Sequence, residues 1–157
     1  MSATVRRLLQ GAAAGAAGTT ALNAVTYADM ALRARPASST PQDTVEQLAR
    51  RAGVGIPGDE QSRGIRVEAL GPLTGLVAGV GTGMVLGAVR ATGWRPGVFG
   101  TFVLATAVVL VAGNGPMTAL GITDPRSWDA DAWATDVVPH LAYAVVAAYV
   151  LDGLDED

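Results

Sequence analysis

The stretch Ala69-Leu-Gly-Pro-Leu-Thr-Gly-Leu-Val-Ala-Gly-Val-Gly-Thr-Gly-Met-Val-Leu-Gly-Ala88 decides the fold. It carries no charge and is long enough to cross a bilayer, which takes about 20 residues of helix. Gly71, Gly75, Gly79, Gly83 and Gly87 recur in it at a strict interval of four. Four residues is slightly more than one helical turn, so these glycines form one slowly drifting stripe without side chains. Glycine costs a helix roughly 1 kcal/mol relative to alanine in water. Close backbone approach by another helix is the compensation that membrane proteins use. The partner expected within the chain is the first apolar segment, where Gly11, Gly15, Thr19 and Asn23 repeat the same interval. A partner in a second copy or in another membrane protein, or a pore lined by the stripe, are the alternatives.

Working outward, four uncharged segments predict an all-α integral membrane bundle of four transmembrane helices in a single domain. The spans are expected at about 8–32, 69–88, 98–115 and 134–151. The third is expected to end at Gly113-Asn114-Gly115-Pro116, and the fourth to carry Pro139 in its first turn, where proline is tolerated. A cleaved signal peptide is the competing reading of the first segment. Gln10 and three glycines within Leu8–Gly18 make a poor apolar region for one.

The first loop predicts a short amphipathic helix at about 41–52. Thr40 is placed as its N-cap, Pro41 at its first position and Asp43 near the positive end of its dipole. Val45, Leu48, Ala49 and Ala52 share one face, Glu46 is set to pair with Arg50, and Gly53 supplies the stop. Such a helix either lies on the lipid headgroups or caps the bundle. The last loop interleaves Asp124, Asp129, Asp131 and Asp136 with Trp128 and Trp133. Tryptophan beside a span suits the membrane interface. The carboxylates lack the glycine and ligand order of a calcium loop and read as a solvated acidic surface.

Composition removes most familiar chemistry. There is no cysteine and a single histidine, and all eleven basic residues are arginine. Thiolate metal sites, Fe–S clusters, cysteine nucleophiles, P-loops and Schiff-base lysines are therefore excluded. The sequence predicts no enzyme, no metal, no cofactor and no nucleic-acid partner. What it does predict as a partner is the lipid bilayer, with a second copy or another membrane protein as further partners. The expected location is the cytoplasmic (inner) membrane, crossed several times. The Arg6-Arg7 pair ahead of the first span places both termini inside, although the long loops carry seven of the arginines and argue the other way.

A handful of polar residues stand out within or beside the spans. Asn23 is suited to a hydrogen bond between helices. Asp29 is one turn from Arg33 and reads as a paired interfacial residue, or as an ion- or proton-handling group if it lies deeper. Asp136, His140 and Tyr143 fall on one face at the start of the fourth span, where the carboxylate would favour a charged imidazole. They read as an interfacial turn or as a proton relay. Two roles follow: a structural or assembly protein built on glycine packing, and a small transporter or channel built on these polar residues.

The run His140-Leu141-Ala142-Tyr143-Ala144, with Ala148 four residues on, resembles a pattern in small bacterial membrane proteins of actinobacterial type, similar to YagU-like inner-membrane proteins. Gly-Thr-Thr-Ala-Leu-Asn at 18–23, Arg35-Pro36 and Ser-Ser-Thr-Pro at 38–41 add to the likeness. Ala144 and Ala148 stand where the pattern has glycine. The resemblance implies a multi-span membrane protein and assigns no catalytic residue.

Overall fold

A computed structural model describes residues 1–155. Among them lie five α-helices, one 3-10 turn and no strand. Helix α1 is Ala3–Arg33, α2 Thr40–Ala52, α3 Glu60–Ala91, α4 Gly97–Ala119 and α5 Ala130–Gly153, with the 3-10 turn at Pro125–Ser127. The helices α3, α4 and α5 are long and apolar enough to cross a membrane. Between 17% and 33% of the residues in their apolar windows are buried, so most of those side chains point outward. Val77, Phe99, Val111 and Tyr149 are each more than three-fifths exposed on the outer surface. Helix α1 is 31 residues long but is not among those three.

Four long helices form a closed ring. Helix α1 packs on α3 and α5, and α4 packs on the same two, so α1 and α4 lie on opposite diagonals. Neighbours run antiparallel. Arg7 meets Asp155 at one end, while Arg33 meets Asp131 at 2.7 Å at the other. Both described ends of the chain therefore lie at the same end of the bundle. The core between the helices is made of small or slender residues, Ala14, Ala105, Ala144 and Ala147, with Leu86, Val109, Tyr143 and Leu151 filling the wider layers.

Local chemistry sets the boundaries, and several depart from the sequence reading. Ser39, not Thr40, is the N-cap of α2, and it makes no side-chain cap bond. Gly53 ends α2 in the left-handed region, at φ 66°, as a glycine stop requires. Helix α3 begins nine residues before the uncharged stretch because Asp59 caps it, accepting from Ser62 N–H at 2.8 Å. Helix α4 does not end at Gly113-Asn114-Gly115-Pro116 but runs through it to Ala119. Helix α5 begins at Ala130, capped by Asp129, which puts Pro139 well inside the helix rather than in its first turn. The capping carboxylates start these helices earlier than hydrophobicity alone suggests. Packing on neighbours then carries α4 and α5 through residues that would break an isolated helix.

The acidic last loop is put to structural use. Asp124 caps the 3-10 turn and holds Arg126, whose guanidinium and backbone N–H keep the Asp124 carboxyl below its usual range. Asp129 caps α5, and Asp131 pairs with Arg33. Trp128 and Trp133 stack edge to face, with ring centroids 5.0 Å apart.

Candidate functional site

The glycine stripe of α3 divides into three parts. Gly79, Gly83 and Gly87 meet α1, Gly71 meets α2, and Gly75 meets open space. A Cβ built on Gly15 would lie 2.6 Å from the Gly79 carbonyl oxygen, and one on Gly83 would lie 2.5 Å from the Gly15 Cα. At those distances the two backbones leave no room for a methyl group. The stripe was expected as one continuous face. The close approach of α1 to the stripe instead runs over Arg7–Thr19 and Gly79–Gly87, and Gly75, next in register, meets open space. Gly18, outside the four-residue phase, has a separate role. A Cβ there would lie 2.8 Å from the Tyr143 ring, so glycine makes room for the one large side chain in the centre of the bundle.

Where the seam opens, a cavity of about 470 Å³ begins. Thr19, Gly79 and Tyr143 form its floor, Asn23 and Gly75 its flank, and Pro41 and Gln42 of α2 its cover. The Tyr143 hydroxyl donates to the Gly79 carbonyl at 2.7 Å. Helix α2 is held across the end of the bundle by Gln47 Nε2 donating to Leu120 O at 3.3 Å and Arg51 donating to Ala119 O at 3.2 Å. Glu46 takes Arg63 at 2.6 Å, closer than the expected Arg50 at 3.6 Å. Gly71 lets α3 approach Pro41 and Gln42, where a Cβ would sit 3.2 Å from the α2 backbone.

The polar residues singled out from sequence are not one cluster. Asn23, His140 and Tyr143 line the cavity. Asp29 does not; it pairs with Arg35 and, at 3.5 Å, with Arg33, as an interfacial residue would. Asp136 sits beside His140 but makes its closest side-chain bond elsewhere, accepting from Asn114 Nδ2 at 2.9 Å. The His140 Nδ1 lies 3.6 Å from the Asp136 carboxylate and 2.6 Å from the Asp136 main-chain oxygen. That carbonyl can only accept, so Nδ1 carries the proton of this bond, and Nε2 is an acceptor in the neutral form of the ring.

Sequence reasoning missed two cavity residues. Thr82 is 3% exposed, lines the cavity, and its Oγ1 has no hydrogen-bond partner among the described residues. Thr19, Thr44, Thr74 and Thr106 turn their hydroxyls back onto helix carbonyls, and Thr82 does not. Gln42 also lines the cavity, and its Oε1 is buried without a partner among the described residues. A threonine in the middle of an uncharged span was the available signal for Thr82. Nothing in the first loop pointed to Gln42.

The opposite end of the bundle holds a second set of residues that the sequence did not connect. Arg7 and Arg90, 8% and 4% exposed, both pair with Asp155. Arg90 also donates to Thr101 Oγ1 at 2.9 Å and to Leu151 O at 3.1 Å. This network ties α1, α3, α4 and the end of α5 together. Compared with protein-family models, curated proteins and solved structures, the chain matches none.

Proposed function

We propose that this chain is a four-span membrane protein that binds a small molecule inside its bundle, as a carrier does. Helix α1 joins the three apolar helices as the fourth span. It runs the length of α5, from Asp155 to Asp131, so it lies at every depth that α5 occupies. At 1.5 Å per residue its length is about 46 Å, against a hydrocarbon core of about 30 Å. Its low hydrophobicity is tolerable because its glycine and threonine face is spent on α3.

The observation that carries the binding role is that the glycine seam closes one half of the bundle and opens, in the other half, into a mixed polar and apolar cavity under α2. Ligand cavities run from roughly 300 to 1,000 Å³, mostly apolar with a few placed polar groups. A site closed on one side and covered by a short helix on the other suits a carrier better than an open channel. The seam glycines are used within the chain, so Gly79, Gly83 and Gly87 do not offer a surface to a second copy. The outward-facing Leu73 and Val77 suit lipid.

The absence of cysteine makes the test clean, since any introduced thiol is unique. In sealed vesicles, Gly75→Cys should react with a membrane-impermeant maleimide from one face of the membrane only. Val77→Cys, two residues on and 65% exposed on the outer surface, should remain unreactive. Equal failure of both to react would overturn the proposal.

A further inference from the structure

We infer that the cavity is built for an uncharged molecule with an apolar body and a hydrogen-bond donor at its head, in the chemical class of alcohols and phenols. The inference rests on the binding role proposed above and names the ligand that role would serve.

Charge decides the first half. No aspartate, glutamate or arginine lines the cavity. Asp43, between the wall residues Gln42 and Thr44, is exposed and accepts from Ser39 Oγ at 3.0 Å, while Asp29 and Asp136 are engaged with Arg33, Arg35 and Asn114. A cation taken from water into this site would meet no carboxylate on its walls, and an anion no arginine, which is costly in a poorly solvated interior. Most of the remaining wall is glycine, alanine, leucine, valine, methionine and proline, which suit a hydrocarbon body, with Thr26, Tyr27, Ser38, Thr44 and Thr74 among them.

Asn23, Thr26 and Tyr27 also line the cavity with groups that can donate, but the buried atoms left without a partner among the described residues decide the second half, because each of them can accept. His140 commits Nδ1 to the Asp136 main-chain oxygen, which places Nε2, an acceptor in the neutral form of the ring, beside Gly113. Gln42 Oε1 is an acceptor without a partner among the described residues, and Thr82 Oγ1 can accept as well as donate. Pro116 withdraws the N–H that would otherwise have met the Ala112 carbonyl, and Ala112 lines the same cavity. The Tyr143 hydroxyl, the one phenolic donor at the floor, is already spent on Gly79. A ligand that brings a donor satisfies all of these atoms; one with only acceptors can take a bond from Thr82 but leaves Gln42 Oε1 orphaned, and a buried orphan is penalised more than a missing bond.

Three molecules of matched shape test this. They are 2-naphthol, which is neutral and donates; 2-methoxynaphthalene, which is neutral and cannot; and 2-naphthoate, which is charged. Each is titrated for its ability to protect Gly75→Cys from the maleimide, in vesicles at neutral pH. The expected result is protection by 2-naphthol at a concentration about two- to tenfold below that of 2-methoxynaphthalene, with 2-naphthoate weakest. Adding Thr82→Val should raise the protecting concentration of 2-naphthol at least as much as that of 2-methoxynaphthalene, which can only accept from this hydroxyl. That variant keeps the shape and deletes an unpartnered hydroxyl, so the fold should be at least as stable.

Equal or better protection by 2-methoxynaphthalene, strongest protection by 2-naphthoate, or no protection by any of the three would overturn the inference. In each case, one-sided labelling of Gly75→Cys without ligand would leave the binding role standing. A thiol that never labels overturns both.

Discussion

The hydroxyl of Tyr143 on α5 donates to the Gly79 carbonyl on α3 at 2.7 Å, joining two helices on opposite diagonals of the ring. This bond sits at the level where the glycine seam stops and the cavity starts. The ring of Tyr143 is fully buried against Gly18, so the same residue links α1, α3 and α5. Tyr143→Phe keeps the ring and removes the bond. The Gly79 carbonyl retains its helix partner, so the expected cost is about 1 kcal/mol. A modest fall in melting temperature in detergent, with the oligomeric state unchanged, is the outcome to measure.

The three environments of the glycine stripe predict three tolerances. Gly83→Ala forces a methyl group into the backbone of α1 and should cost on the order of 1–3 kcal/mol. Gly75→Ala meets open space and should be neutral, or stabilising by up to about 1 kcal/mol through helix propensity. Thermal unfolding of the two variants side by side checks this. Equal destabilisation would mean that helix packing continues through Gly75.

The network at the chain-terminal end predicts an asymmetry between its members. Asp155→Asn leaves two buried guanidiniums without their carboxylate, and loss of one partner from a buried ion pair costs about 3–5 kcal/mol. Arg90→Met removes one of those charges and leaves Arg7 paired with Asp155, so its loss should be smaller. Denaturation midpoints for the two variants, compared at the same pH and salt, give the order.

Helix α3 should fray at its first turn in acid. The Ser62 backbone N–H holds the Asp59 carboxyl below its ordinary range, so the cap favours the folded turn while Asp59 is ionised. For a carboxyl lowered by folding, the contribution is full above its unfolded pKa, near 3.9, and is lost as pH falls through the folded value. Amide exchange at Ser62 and Arg63, extrapolated to common intrinsic rates, should show protection falling below about pH 4. Asp59→Ala should show low protection at every pH.

The sequence by itself predicted four apolar spans, and three of them are helices long and apolar enough to cross a membrane, because length and hydrophobicity are local properties of a segment. The four-residue glycine phase marked a close backbone contact for the same reason: helical periodicity projects residues 79, 83 and 87 onto one face wherever the helix is placed. It also placed a helix in the first loop and read Asp29 as a paired residue. Helix ends were legible only in part. Asp59 and Asp129 start their helices by capping bonds that hydrophobicity does not register, and α4 continues through Gly113 and Pro116 because its neighbours support it.

Tertiary structure decided the rest. Whether Gly75 packs or faces a cavity depends on where α1 and α3 part, which is a relation between two helices and is encoded in neither alone. His140 and Tyr143 share a cavity with Thr82 and Gln42, residues up to 101 positions apart in the chain, because the antiparallel ring brings one end of every helix together. Asp155 reaches Arg7 across 148 positions for the same reason. Periodicity reports the face a residue occupies. Only the packing of the ring determines what that face meets.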